Sequence, residues 1–403
     1  MDMSGFQLST GLIGFLICVG VLWIVLYTLR NRFGEAKVEI QPPILLVRTR
    51  RFLRVIDWVA NWSRGAWKTV GTLSLGVALL GVLLVSWEML FQALVVKKGG
   101  GVTLVIPGTK ILGVYFPLHH ALIGLTTVLV VHEFAHGVVA RAQKIPLEST
   151  GFVLIGPLPG AFVEPNENKL RASKLLDRLR LYSVGSVANF LLAIVAVQIV
   201  FFSVTPVLEG VYVSSVIPGS PAEKAGLHEG MVITHINGVR VDNIYTFSQV
   251  RETLRPGEKV VLRLASGEEK TLTMVPHPNN PKLGYIGISP ITWMPRHLYM
   301  ASPTHLLSAL NHPGAVFELK GFLAGVGSLG WGVVRCLAWI YLLNLGIGLM
   351  NLLPLPILDG GQIVRDILER VSPPKLSKPL RYGIYTLFFS TLILNLAKGW
   401  LLR

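Results

Sequence analysis

The sequence predicts a multi-pass α-helical membrane protein of about six transmembrane helices, with one small soluble α+β module inserted between them. Three observations carry that prediction. Only 15% of the 403 residues are charged, whereas a soluble domain carries roughly 25%. The deficit is uneven: long stretches hold no charged residue, while residues 208–290 have an ordinary soluble composition. The 37 Lys and Arg, which give a net charge of +15, gather beside the apolar segments, as membrane topology demands. That placement accounts for the basic character without nucleic acid, and no nucleic-acid partner is expected.

Six apolar stretches approach the roughly 20 residues that a helix needs to cross the hydrocarbon core: about 8–29, 70–95, 116–140, 181–204, 329–353 and 382–401. The first is too long for a cleavable signal and reads as a retained span. The third is interrupted by His and Glu, and the fifth runs into Pro354 and Pro356. Nine Lys and Arg lie between Arg30 and Lys68, seven between Arg141 and Arg180, and five between Arg365 and Arg381. The loop between spans two and three holds only Lys97, Lys98 and Lys110. The positive-inside rule makes the first three segments cytoplasmic. Both termini and the soluble module then face the other side. Cys18 and Cys336 sit in apolar runs far apart and read as small buried hydrophobes rather than a disulfide framework.

Between spans three and four, GFVLIGPLPGAFVEPNE (151–167) is β-branched and punctuated by Gly and Pro, which is too broken for a helix. Two readings fit: a hairpin dipping into the membrane from the cytoplasmic side, or a peripheral one. If it dips, Val153 to Ile155 can pair with an unwound substrate strand by β-augmentation. The soluble stretch alternates strand and helix signals. GVYVSSVI reads as a strand, and SPAEKAGL as a short helix capped by Ser220 with Pro221 at its first position. MVITHINGVRV reads as strand, Asn237-Gly238 turn and strand. Thr246 to Leu254 reads as a helix, and KVVLRL with KTLTMV as a hairpin. Two helices and about five strands result.

His132 and His136 in VVHEFAHG are four residues apart, so a helix places both on one face. Each can offer an imidazole nitrogen to one zinc ion, and Glu133 stands where it can take a proton from an activated water. Two His and a Glu are expensive in an apolar helix, and such residues are functional by default. A catalytic zinc needs a third protein ligand. Asp359 in NLLPLPILDGGQ is the best candidate: Pro354 and Pro356 break the helix before it, and Gly360 and Gly361 allow a tight turn beside it. The other reading of Asp359 is a cap on the helix GQIVRDILERV.

HEFAH in one span, NLLPLPILDG in another and Gly185-x-x-x-Asn189 between them resemble the site-2 protease family of intramembrane metalloproteases. PGSPAEKAGLHEGMVITHINGVRV (218–241) and LGYIGI (283–288) are similar to a circularly permuted PDZ domain. The first resemblance implies one Zn2+ per chain held by His132, His136 and Asp359, with Glu133 catalytic. It also implies that Asn189 places or stabilises the scissile carbonyl, and that Asn351 and Pro354 hold substrate. Asn189 has a second reading, a bond to a neighbouring helix. The second resemblance implies a peptide-binding loop at Gly284, Tyr285, Ile286 and Gly287 that caps a C-terminal carboxylate; a plain final strand is the other reading.

The expected organisation is two N-terminal transmembrane helices with a basic cytoplasmic loop (1–115), a first catalytic membrane segment (116–204) and the PDZ-like domain (208–290). A connector with an interfacial setting (291–328) and a second catalytic segment with the last helix (329–403) follow. The active site is expected in the cytoplasmic half of the bilayer. The function expected from the resemblance is hydrolysis of transmembrane protein substrates inside the lipid bilayer, with peptide C-termini as ligands of the inserted domain. The competing class is a membrane-anchored peptide-binding scaffold with an inactive metal site. A complete HExxH and LDG weigh against it.

Overall fold

The computed structural model describes residues 10–29, 38–95, 108, 110–111, 114–156, 158–278, 280–312 and 314–401. Helix α1 (Thr10–Leu29) is followed by a hairpin of β1 (Val38–Gln41) and β2 (Ile44–Thr49). Helices α2 (Arg51–Trp62) and α3 (Arg64–Leu94) come next, then a ribbon of β3 (Lys110–Ile111) and β4 (Val114–Tyr115), then α4 (Leu118–Ala142). A second hairpin, β5 (Leu147–Ile155) and β6 (Leu158–Pro165), leads through α5 (Glu167–Ala172) into α6 (Leu175–Ser203). The β-rich stretch runs β7 (Val204–Pro206), β8 (Val211–Val216), α7 (Pro221–Lys224), β9 (Val232–Ile236), β10 (Val239–Arg240) and α8 (Ile244–Thr253). It continues through β11 (Lys259–Leu264), β12 (Glu269–Thr273), β13 (Val275–His277), β14 (Asn280–Tyr285) and β15 (Ile288–Thr292). After α9 (Arg296–Ala301), α10 (Pro303–Leu310), β16 (Phe317–Leu319) and α11 (Phe322–Gly325) come α12 (Ser328–Asn351), α13 (Asp359–Val371) and α14 (Pro374–Leu401).

Among the described residues, five helices are long and apolar enough to cross a membrane: α3, α4, α6, α12 and α14. The expected count was about six. Of α1, the stretch Val19–Leu29 is a shorter apolar helix, and residues 8 and 9 of the first expected span lie outside the described residues. The helices overrun the apolar stretches at their charged ends. For example, α3 starts at Arg64 rather than 70, because Ser63 caps it by accepting from the N–H of Ala66.

The chain divides into two compact units, one made of residues 1–195 and 339–403, the other of 196–338. The first unit holds a four-stranded antiparallel sheet in the order β1-β2-β5-β6. This sheet corrects two expectations. The basic segment after the first span is not a plain loop: it supplies two strands and α2. And Val153 to Ile155 cannot accept a substrate strand, because β5 is paired on both sides, Val153 with Leu46 and with Gly160. The backbone groups a guest strand needs are already used. Within the described residues β6 pairs only with β5, so β6 offers the edge instead. The core of this unit packs α2, α3, α4, α6 and α13 through Ile56, Ala78, Val138, Leu179, Leu352 and Ile363.

The second unit is built on a six-stranded sheet, β12-β11-β9-β8-β15 with β10 on β9, around Val211, Ile233, Ile236, Leu262 and Leu272. The expected strands and the second helix are present within a residue or two, while the first helix, expected to run to Leu227, ends at Lys224. The Asn237-Gly238 turn has positive φ at both residues, 49° and 78°, as a tight hairpin requires. Three further strands follow the expected five: β15 joins the main sheet on β8, and β13 and β14 pair with each other. The β13-β14 pair escaped the pattern of about five strands because Pro276 and Pro281 interrupt it.

Candidate active site

The site lies wholly in the first unit. Helix periodicity brings His132 and His136 together on α4, as the spacing required. Their Nε2 atoms are 3.0 Å apart. Oδ2 of Asp359 lies 3.3 Å from Nε2 of His132 and 3.4 Å from Nε2 of His136. Among the described residues these three form the group of His, Cys, Asp and Glu side chains able to share one metal ion.

The triangle fits zinc. Ligand atoms about 2.0–2.1 Å from a tetrahedral zinc sit roughly 3.3 Å from one another, which is the scale of all three edges. Each imidazole also has a polar group at its far nitrogen. Nδ1 of His136 is 2.7 Å from the carbonyl oxygen of Leu181 on α6. A carbonyl only accepts, so Nδ1 carries the proton and Nε2 keeps its lone pair for a metal. Nδ1 of His132 is 3.3 Å from the amide of Asn189, also on α6 and fully buried.

Two sets of glycines make this approach possible. A Cβ on Gly185 would collide with Nε2 of His136 and lie 2.6 Å from Cε1 of His132, so only glycine lets α6 pass the two rings. Gly360 and Gly361 act differently from the tight turn expected of them. Both are helical residues in the first turn of α13, and a Cβ on either would strike the carbonyls of Leu352 or Leu355. They let α13 start directly against the tight turns that follow α12, residues 352–358, which replace the extended backbone expected after Pro354 and Pro356. Asp359 is the first residue of α13, and no side chain caps that helix. The carboxylate is turned to the imidazoles, away from the capping role.

Glu133 lies on the wall of a cavity of about 800 Å³ that also reaches His136, Asp359, Tyr182 and Arg365. Its Oε2 accepts from the backbone N–H of Val163 on β6, at 3.0 Å. That places the edge strand directly beside the carboxylate. Asn351 ends α12 half-buried, Pro354 is buried, and with Asn189 both lie outside the residues lining the cavity.

The expected peptide loop of the second unit is tied to its surroundings through one N–H and two carbonyls. The N–H of Gly284 donates to Leu254, the carbonyl of Ile286 accepts from Ala222, and that of Gly287 accepts from Ile217. Tyr285 is paired with Val275 across the β13-β14 ladder.

Sequence reasoning missed the parts that hold the site. Asp366, 3% exposed, binds Arg178 at 2.5 Å and Arg365 at 2.9 Å, and Arg365 reaches the hydroxyl of Tyr182 at 3.1 Å. This cluster ties α13, and so Asp359, to α6. Its only trace in the sequence is an acidic residue, Asp366, inside the basic segment Arg365 to Arg381. The backbone groups of Leu181 and Val163 leave no trace at all.

Comparison with known proteins followed from these features. The profile described as "Peptidase family M50" matches residues 120–395. An uncharacterized protein of Methanocaldococcus jannaschii is 24% identical over 86% of this chain and 82% of its own. Zinc metalloprotease RasP of Geobacillus kaustophilus is 23% identical over 58% of this chain and 60% of its own. Regulator of sigma-E protease RseP of Escherichia coli is 27% identical over 47% of this chain and 48% of its own.

Proposed function

The chain belongs to peptidase family M50, and from that premise we propose that it cuts peptide bonds within or beside transmembrane segments of membrane-protein substrates. As a member of that family it is a zinc metalloendopeptidase of the site-2 type and an integral membrane protein. The triangle of two imidazole nitrogens and one carboxylate oxygen, with Glu133 on the wall of the same cavity, carries the reading. His132, His136 and Asp359 would hold the ion. When bound, zinc supplies Lewis-acid activation of a water molecule and of the scissile carbonyl.

Glu133 takes the proton of the attacking water and returns it to the leaving amine nitrogen. The N–H of Val163 holds Oε2 of Glu133, which leaves Oε1 for the proton. The carbonyl of Leu181 holds His136 in the tautomer that presents Nε2, and the amide of Asn189, turned so that Oδ1 rather than Nδ2 faces Nδ1, would do the same for His132. Asn189 therefore serves the reaction through His132. Asn351, at the end of α12, and Pro354, in the turns that lead to Asp359, help hold substrate beside that carboxylate.

A membrane helix hides its amides in its own hydrogen bonds, so cleavage needs an unwound stretch. The outer edge of β6 is the natural place to receive it by strand addition, because the scissile region then runs past Glu133. The basic segments make the site side cytoplasmic, with the termini and the PDZ-like module on the other side. That module either recruits peptide C-termini or screens out bulky substrates.

The deciding experiment pairs zinc analysis with cleavage of a reconstituted transmembrane substrate. Glu133→Gln should keep one zinc per chain and lose about 10²- to 10⁴-fold in rate. Cleavage equal to wild type rejects the mechanism.

A further inference from the structure

Helix α2 carries no part of the chemistry described above, yet its surface is sorted into three faces. At 3.6 residues per turn, Leu53, Ile56 and Ala60 share one side, and all three are buried. Arg54, Asp57 and Asn61 share a second. Phe52, Val55, Trp58 and Trp62 share a third, and all four are exposed, Trp58 at 75% and Trp62 at 84%. A water-facing helix would not leave two indoles and two further apolar side chains uncovered on one stripe.

The first two faces fasten α2 to the helix that bears His132 and Glu133. Ile56 fills the space opened by Gly137, where a Cβ would lie 2.9 Å from its Cδ1. Asp57 bonds Arg141 at 2.9 Å. Phe52 also meets Phe152 of β5 edge to face, with ring centroids 5.7 Å apart.

Apart from that contact of Phe52, the third face is exposed among the described residues, and two features name its occupant. The first is continuity: Ser63, in extended conformation, is the sole residue between α2 and the membrane span α3. Trp62 therefore sits at the level where a span enters the bilayer. The second is charge: Arg50, Arg54, Arg64 and Lys68 are exposed around this junction. Indoles at the headgroup level with basic residues beside them are the composition of a helix lying in a membrane surface.

We propose that α2 lies in the plane of the membrane interface, with Phe52, Val55, Trp58 and Trp62 in the acyl-headgroup boundary and Arg50 and Arg54 on anionic lipid headgroups. It is a brace: because α2 is bolted to α4, the surface plane sets the depth of the active-site helix. The proposal rests on the membrane setting of the chain and not on the assignment of zinc ligands.

The test uses the full chain, with Cys18→Ser and Cys336→Ser, reconstituted in vesicles of phosphatidylcholine and phosphatidylglycerol. Single cysteines at positions 54, 55, 58, 61 and 62 are spin-labelled, and zinc content verifies the fold of each variant. Collision with oxygen, which concentrates in lipid, should exceed collision with a water-soluble nickel chelate at 55, 58 and 62, and the reverse should hold at 54 and 61. Nickel access at all five positions overturns the proposal, and so does shielding of 55, 58 and 62 from both reagents, which would mean a protein partner.

A second measurement needs no added cysteine. Brominated phosphatidylglycerol should quench the tryptophan emission that is lost in a Trp58→Phe, Trp62→Phe double variant more than brominated phosphatidylcholine does. One basic residue near an anionic surface is worth a factor of about five in lipid preference. Arg50→Gln with Arg54→Gln should equalise the two lipids. Equal quenching in the parent protein rejects the headgroup contact. Cleavage by the same preparations reports separately on the protease reading.

Discussion

At the scale of single residues, Asn189 is placed to act on the candidate metal site through His132. It is fully buried, its Oδ1 has no hydrogen-bond partner, and its Nδ2 faces Nδ1 of His132. If Nε2 of His132 binds zinc, Nδ1 carries a proton and needs an acceptor. A half-turn of the amide supplies one, exchanging Nδ2 for Oδ1 in the same space. Two variants separate this role from a donor role toward the substrate carbonyl. Asn189→Asp keeps the acceptor and should hold zinc as tightly as wild type. Asn189→Leu removes it and should bind zinc about 10- to 100-fold more weakly in competition with a chelator. Equal affinity in the two variants would refute the acceptor role. A buried, helix-facing Asn was visible in the sequence; the nitrogen it faces was not, because residues 132 and 189 meet only after two spans pack.

Among the elements, β6 does most to connect fold and chemistry. It is held on one side by β5, and on the other its Val163 N–H points to Glu133. Proline is tolerated where an N–H does not enter the ladder, so Val163→Pro should leave the sheet and the zinc content intact. It removes the hydrogen bond that orients Glu133 and obstructs the open edge. Cleavage should fall by more than tenfold, and an unchanged rate would show that neither contact matters. The sheet also explains the glycines of this hairpin. A Cβ on Gly151 would strike the carbonyl of Val47 and lie 2.6 Å from the ring of Phe162, and one on Gly160 would press on Val153. The broken, β-branched pattern of 151–167 announced a hairpin. That its partner would be residues 44–49 could not be read from it, since β-pairing between segments about a hundred residues apart leaves no local periodicity.

For the molecule as a whole, the candidate site is a clasp between distant segments: α4 brings two imidazoles and α13 the carboxylate that could share one metal ion. An ion that binds only the folded state adds about 2.7 kcal/mol of stability at a hundred times its dissociation constant. In detergent, a zinc chelator should therefore lower the melting temperature, and added zinc should restore it. A His132→Ala, Asp359→Ala double variant should melt at one temperature with and without zinc; a zinc-dependent shift there would place the stabilising ion elsewhere. The inserted unit has its own core, so deleting 208–290 separates its two candidate roles. Recruitment predicts slower cleavage of substrates already trimmed to a free C-terminus, and screening predicts faster cleavage of untrimmed ones. Unchanged rates for both would remove the module from substrate selection. By itself the sequence determined what depends on local composition and short spacing. It shows spans by their lack of charge, two imidazoles on one face by a spacing of four, and strands and turns of the inserted module by alternation and Asn-Gly. The tertiary structure alone decided that Asp359 turns to the imidazoles and away from a capping role, that β6 rather than β5 ends the described sheet, and that α2 packs against α4. The physical reason is that each of these depends on which backbone passes close to which, and close passage is set by packing across the whole chain, as the collision waiting at Gly185 of HEFAH's neighbour helix makes plain.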